Sequence, residues 1–301
     1  MDLTITIGSK QLKNPIGVAS GTFGYGSEYE HLLDFSAIGA IYTKAVTALP
    51  RQGNDIPRMV ETPSGMLNSI VLANVGVERF CKEKIPYLSE LPCAIIPNIA
   101  GSTPEEYAVV LERLESCIEI WGYEINVSCP NVKHGGMLLG TDPALVEKLV
   151  RNLRDKTRKP VIVKLTPNVT DITEIAKAAQ HSGADAVSCI NTLVGMVIDV
   201  KKKMPVLPGK NGGLSGPAIR PIGVAVTYKV SRAIDIPVIG IGGIMNADDA
   251  LQYLLAGAWA VQIGTGNFIN PSISREVADG IKSFCELEKI ACIKDLHQFL
   301  A

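Results

Sequence analysis

A short apolar strand, a polar or glycine residue at its end and then a helical stretch form a unit that recurs along this chain, and this recurrence restricts the fold more than any other feature. Strands are expected at Ile16–Ala19, Ala40–Thr43, Ala94–Pro97, Tyr123–Ile125, Val161–Val163, Ala186–Ile190, Val238–Ile241 and Ala260–Ile263. Helical patterns follow several of them, over Pro104–Cys117, Pro143–Lys156, Ile172–Ser182 and Ala247–Ala256. Each is preceded by an oxygen-bearing cap (Thr103, Asp142, Asp171, Asn246) able to accept from the free N–H groups of a first helical turn. Two carry proline at the first helical position, where no donor is needed. Strands alternating with helices imply a parallel sheet, and eight such strands in 301 residues imply an α/β fold of the (β/α)8 TIM barrel type.

Upstream of the first unit, Leu3 to Ile7 alternates apolar and polar residues, Gly8-Ser9 turns the chain and Gln11-Leu12 continues it. This pattern predicts an N-terminal β-hairpin, too small to be a domain and suited to plugging one end of the barrel. Two connections are too long for a simple unit, from Lys44 to Ala94 and from Asn191 to Val238. Beyond a helix, each holds a weakly periodic stretch, Thr47–Asn74 and Leu193–Gly216. Long loops in a compact domain are usually lids or binding loops, so these two insertions are expected at the C-terminal face, where barrel active sites lie. No linker or low-complexity tract divides the chain, so residues 1–301 read as a single domain.

Composition narrows the function. Apolar residues make up 47% and charged residues 20%, which allows a sizeable core. The net charge is −1 and no basic stripe is visible, so nucleic acid is a poor partner. No apolar run is long enough to span a bilayer, and Met1-Asp2-Leu3-Thr4 does not begin a secretory signal. The cysteines number seven, with no C-x-x-C pair. That argues against a disulfide framework, a zinc ribbon or an iron–sulfur cluster within this chain, and reduced thiols suggest the cytoplasm. No metal site is expected.

In a barrel of this kind the residues at the C-terminal strand ends face one mouth. Here they are Ser20, Lys44, Asn98, Asn126, Lys164, Asn191, then Gly242-Gly243 and Gly264-Thr265. A purely structural barrel needs nothing polar there, and lysines and asparagines directed into one hollow are expensive to desolvate without a partner. The glycines after the seventh and eighth strands allow backbone N–H groups to approach an anion, in the region where barrels often hold phosphate; the alternative is simple tight turning. Neither stretch matches G-x-G-x-x-G, so no NAD site is expected in this chain. A phosphorylated cofactor in the mouth, with Lys164 reaching it, fits flavin mononucleotide (FMN).

The fourth strand opens into Asn126-Val127-Ser128-Cys129-Pro130-Asn131-Val132-Lys133-His134-Gly135-Gly136. Cys129 is the one cysteine set among polar loop residues. A lone cysteine is more often a small buried hydrophobe than a catalyst. Loop exposure and a nearby Lys133 or His134 would instead favour a thiolate, able to act as a base or nucleophile.

These residues resemble the dihydroorotate dehydrogenases of class 1, most closely the class 1B, NAD-linked catalytic subunit. The likeness runs nearly end to end. It includes Asn14-Pro15 with Ala19-Ser20-Gly21, Thr43-Lys44-Ala45, Gly65-Met66-Leu67-Asn68-Ser69-Ile70 and the Asn126–Asn131 loop. It continues through Val163-Lys164-Leu165, Ile190-Asn191-Thr192, Gly212-Gly213-Leu214-Ser215-Gly216, Gly240-Ile241-Gly242-Gly243 and Gly264-Thr265. The resemblance implies oxidation of (S)-dihydroorotate to orotate with one FMN per chain, in de novo pyrimidine (UMP) biosynthesis. It implies Cys129 as general base, where class 2 enzymes have serine. It implies a substrate pocket of Lys44, Asn68, Ser69, Ile70, Val71, Leu72, Asn126, Asn191 and Thr192. For the flavin it implies Ser20, Lys44, Ala45, Asn98, Asn126, Lys164, Ile190, Gly216, Gly242, Gly243, Gly264 and Thr265.

The continuation Val132-Lys133-His134-Gly135-Gly136 is similar to the 1B form. That form implies a homodimer joined to a partner subunit with FAD and a [2Fe–2S] cluster, together a heterotetramer, with NAD+ as final acceptor. The alternatives are a class 1A enzyme using fumarate or a related FMN-dependent pyrimidine oxidoreductase. A cysteine hydrolase pairing Cys129 with His134 would lack an orienting acid and leave the glycine loops unused.

Overall fold

Strand β1 (Ile16–Val18) pairs in parallel with β2 (Ala40–Tyr42) on one side and with β8 (Ala260–Ile263) on the other. The ring continues from β8 to β7 (Val238–Ile241), β6 (Ala186–Cys189), β5 (Val161–Lys164) and β4 (Tyr123–Asn126). It closes through β3, which is split: Ala94–Ile96 pairs with β2 and Asn98–Ile99 pairs with β4. The computed structural model describes residues 2–128, 133–134 and 137–300.

The split in β3 is a departure from the expected unbroken strand, and its cause is Pro97. Proline has no N–H for the ladder, so pairing changes partner across it, while its carbonyl still accepts from Glu124 N at 3.0 Å. One consequence is that Asn98 belongs to the strand instead of following it.

Helices Pro104–Glu115, Pro143–Arg154, Ile172–His181 and Ala247–Leu255 start where the caps place them and stop slightly sooner than the apolar pattern suggests. Thr103 accepts from Glu106 N, Asp142 from Ala144 N and Leu145 N, Asp171 from Thr173 N, and Asn246 from Asp249 N. Helices Arg220–Ser231 and Ile273–Leu287, and a continuous helical stretch formed by Val77–Arg79, Phe80–Lys84 and Ile85–Ser89, add to the outer layer. Between β1 and β2 two short 3-10 turns stand in place of a helix.

The N-terminal hairpin pairs Ile5 with Leu12 and Ile7 with Lys10. Gly8 supplies the φ of +57° that so tight a turn needs. Ile5, Ile7 and Leu12 are buried against Ile16, Ala40, Ile162 and Ala186 of the barrel. Trp121 Nε1, just ahead of β4, donates to Gln11 O at 3.1 Å. The hairpin therefore plugs the N-terminal end and leaves the other mouth free for a site.

At that other mouth the two insertions do something the sequence did not announce. They pair with each other. A four-stranded antiparallel sheet runs in the order Leu193–Gly195, Gly212–Ser215, Gly65–Asn68, Met59–Thr62. Its central pairing sets Gly213 opposite Asn68 and Ser215 opposite Met66. Glycine is required at 65, because a Cβ there would stand 2.0 Å from Ser215 O. The sheet forms a wall beside the barrel mouth.

Candidate active site

Barrel ends and insertion sheet together enclose a cavity of about 480 Å3. Every site residue expected from the sequence lines it, apart from Cys129, which lies outside the described residues. Thus Ser20, Lys44, Ala45, Asn98, Asn126, Lys164 and Ile190 meet there with Asn191, Thr192, Gly216, Gly242, Gly243, Gly264 and Thr265. From the first insertion come Asn68, Ser69, Ile70, Val71 and Leu72.

Lys44 follows β2 and is half-buried. Burial holds its pKa below the ordinary lysine value; Glu28 opposes this, and Arg58 adds to the lowering. Among the described residues its ammonium has no hydrogen-bonding or ion-pair partner. A cation in that position favours an anionic ligand, which restores the stabilisation that water gave it.

Lys164 is different. It is buried at the end of β5, and its Nζ stands 3.5 Å from Glu124 Oε2. Glu124, fully buried on β4, also accepts from Asn98 Nδ2 at 2.6 Å, Ser188 Oγ at 2.8 Å and Gln262 Nε2 at 2.7 Å. The donors come from β3, β5, β6 and β8, so one carboxyl gathers four staves. The sequence alone gives Glu124 no role. The available signal was a charged residue inside the apolar run Tyr123-Glu124-Ile125, which demands partners.

Above Glu124 the amides form a row. Asn126 Nδ2 donates to Asn98 Oδ1 and Asn191 Nδ2 to Asn126 Oδ1, each at 3.4 Å. The row is held from behind, because Tyr107 OH donates to Asn126 O at 2.7 Å. Asn168, also unassigned from sequence, braces the loop after β6 by donating to Thr192 O at 3.0 Å and accepting from Val194 N.

On the opposite side the lining is glycine backbone. Gly242 and Gly243 have φ of +128° and +67°, and a Cβ at 243 would stand 2.8 Å from Gly216 O. At Gly21 and Gly264 a Cβ would enter open space, with nothing nearer than Ala19 Cβ at 3.8 Å from the latter. Thr265 Oγ1 donates to Ser215 Oγ at 2.8 Å, tying the loop after β8 to the insertion sheet. Bare backbone facing a hollow fits a phosphate.

Val71 and Leu72 hold φ of +55° and +56° at the cavity lip. For a β-branched residue this conformation is strained, by about 1–3 kcal/mol. Val71 is 38% exposed, so its packing contributes little. Val71→Gly should therefore stabilise the fold by about 1 kcal/mol after the extra unfolded-state entropy of glycine is subtracted. Thermal unfolding would show this as a midpoint about 2 °C higher; an unchanged or lower midpoint would mean the lip is not strained.

The sequence matches the family model for dihydroorotate dehydrogenase over residues 2–285. The chain belongs to the dihydroorotate dehydrogenase family. It is 51% identical to the dihydroorotate dehydrogenase B (NAD(+)) catalytic subunit of Pelobacter propionicus, over 98% of this chain and 97% of that one. The protein of the same description from Geobacter sulfurreducens is 50% identical over the same shares. This dihydroorotate dehydrogenase family member thus groups with class 1B, as its motifs imply, and the family is one of oxidoreductases. Dihydroorotate dehydrogenase from Eimeria tenella, solved with ferulenol, superimposes with a TM-score of 0.81 at 20% identity, covering 98% of this chain and 87% of that one. The fold is accordingly the TIM barrel of the family. Among the described residues, no helix is long and apolar enough to cross a membrane.

Proposed function

We propose that this chain oxidises (S)-dihydroorotate to orotate with bound FMN, in de novo pyrimidine biosynthesis, as the catalytic subunit of an NAD+-linked assembly. The observation that carries the proposal is the convergence on one cavity of a cation with no partner among the described residues, an amide row and a glycine cradle, in a chain half identical to class 1B subunits. FMN, when bound, supplies the acceptor for the substrate hydride. The chain's own residues do the rest. Gly242, Gly243, Gly264 and Thr265 suit the phosphate, and Lys164 suits the electron-rich side of the ring. Lys44 suits the substrate carboxylate, and the Asn126 and Asn191 amides suit the ring's N–H and C=O groups, since an amide both donates and accepts. Cys129 Sγ takes the C5 proton as C6 gives up its hydride.

The absence of a dinucleotide fingerprint and of paired cluster cysteines fits a second subunit that carries FAD and [2Fe–2S] and delivers electrons to NAD+. Exposed Val194, Met196, Ile198, Val200 and Met204 crowd the second insertion, a surface suited to pairing two copies of the chain. A cytoplasmic location fits the free thiols of the described cysteines.

The test is optical. The purified chain should be yellow and should bleach when dihydroorotate is added without oxygen, while dihydrouracil, which lacks the carboxylate, leaves the colour unchanged. Colourless protein that takes up no FMN, or equal bleaching by both, would overturn the assignment.

A further inference from the structure

Glu124 is the least expected residue in this barrel. Barrel interiors are normally filled by branched apolar side chains, and a buried carboxyl among well-packed neighbours is rarely the more stable choice. Yet Glu124 is fully buried, and all four neighbours donate to it: Asn98, Lys164, Ser188 and Gln262. Only an acceptor on both oxygens satisfies that arrangement. The Lys164 side chain, 6% exposed, has its ammonium on one side of this carboxyl.

The same acceptor also gives the amide row a direction. Asn98 must turn its NH2 toward Glu124, so its Oδ1 faces Asn126 Nδ2. Asn126 Oδ1 then faces Asn191 Nδ2 and Ser128 N, and Asn191 Oδ1 faces Thr192 N. Every amide in the row points its donor end back toward the carboxyl.

We infer that Glu124 is a positioning residue: it pins the Lys164 ammonium at the cavity floor and fixes which end of each amide in the Asn98–Asn126–Asn191 row the bound ring and substrate meet. It also sets the net charge there, because Lys164 is offset by a carboxylate it cannot leave. What this does to the ligand rests on the flavin assignment above.

Glu124→Gln keeps the shape but removes the charge, and puts an NH2 among donors. With Lys164 unopposed, the electron-rich reduced ring is favoured. The reduction equilibrium of bound FMN, measured against reference dyes without turnover, should move toward the reduced form by at least about tenfold, or about 30 mV for two electrons. Glu124→Asp, which retains the charge, should recover most of that shift. An equilibrium in Glu124→Gln within about twofold of wild type overturns the inference, as does a shift that Glu124→Asp does not reduce.

Should Glu124→Gln fail to fold, the double variant Glu124→Gln/Lys164→Met decides. Removing both charges should restore thermal stability beyond that of either single variant, as expected when breaking one half of a buried pair does the damage. Additive losses overturn the pinning of Lys164. Wild-type chain that takes up no FMN sinks the flavin assignment instead, and the same double-mutant cycle on the apoprotein then decides the positioning claim alone.

Discussion

Cys129→Ala should lower turnover by about 10²–10⁴-fold while FMN remains bound, the span that a positioned general base contributes. The flavin contacts expected of this chain come from the strand ends and glycine loops, and Cys129 is not among the residues assigned to them. Flavin absorbance per chain should therefore equal that of wild type, and dihydroorotate should still perturb the spectrum on binding. The loss should fall on the rate of bleaching in a single anaerobic turnover, because the C5 proton has no acceptor.

Cys129→Ser sharpens the test. A serine hydroxyl stays protonated where a thiol, with an ordinary pKa of about 8.5, already supplies thiolate, so the residual rate should climb with pH across the range where wild type has levelled off. Near-normal bleaching in Cys129→Ala, or a flat pH profile in Cys129→Ser, would remove Cys129 from the reaction. The family resemblance would survive either result, since it rests on motifs throughout the chain.

The barrel was legible because its signals are local. Val161-Ile162-Val163 and Val238-Ile239-Gly240-Ile241 are unbroken apolar runs, as strands buried on both faces must be. Asp142 and Asp171 sit one residue before their helices and make the cap bonds their chemistry allows. Polar strand ends were legible too, because the fold fixes which end faces the mouth.

What stayed hidden depends on distant partners. The insertion sheet pairs Asn68 with Gly213, 145 residues apart, through strands rich in glycine, which strand propensity scores against. Glu124 shows its meaning only when four other strands close around it, and no spacing in the sequence brings Asn98, Lys164, Ser188 and Gln262 together. The positive φ of Val71 was invisible for the opposite reason: residue type argues against it, and only the lip geometry imposes it.

Lys44→Met should weaken orotate binding by at least about 30-fold, the lower end of the 2–5 kcal/mol lost when a buried charge pair is truncated on one side. The two lysines at the mouth divide the work by their partners. Lys164 already faces Glu124, so its charge is partly spoken for. Lys44 has no such partner among the described residues, and a ligand carboxylate is the group that would supply one. Methionine keeps much of the stem's packing, so the loss reads the charge and not a cavity.

The pH dependence gives the sign independently. Burial lowers the Lys44 pKa, so in the free protein its ammonium loses its proton at a lower pH than an ordinary lysine. Orotate affinity, titrated through the flavin spectrum, should fall as pH rises into the alkaline range, and Lys44→Met should abolish that limb along with the affinity. A variant that binds orotate as wild type does, or keeps the alkaline fall, would place the substrate carboxylate elsewhere in the cavity. If the affinity is lost and the limb goes with it, Lys44 is the cation that separates dihydroorotate from uncharged dihydropyrimidines.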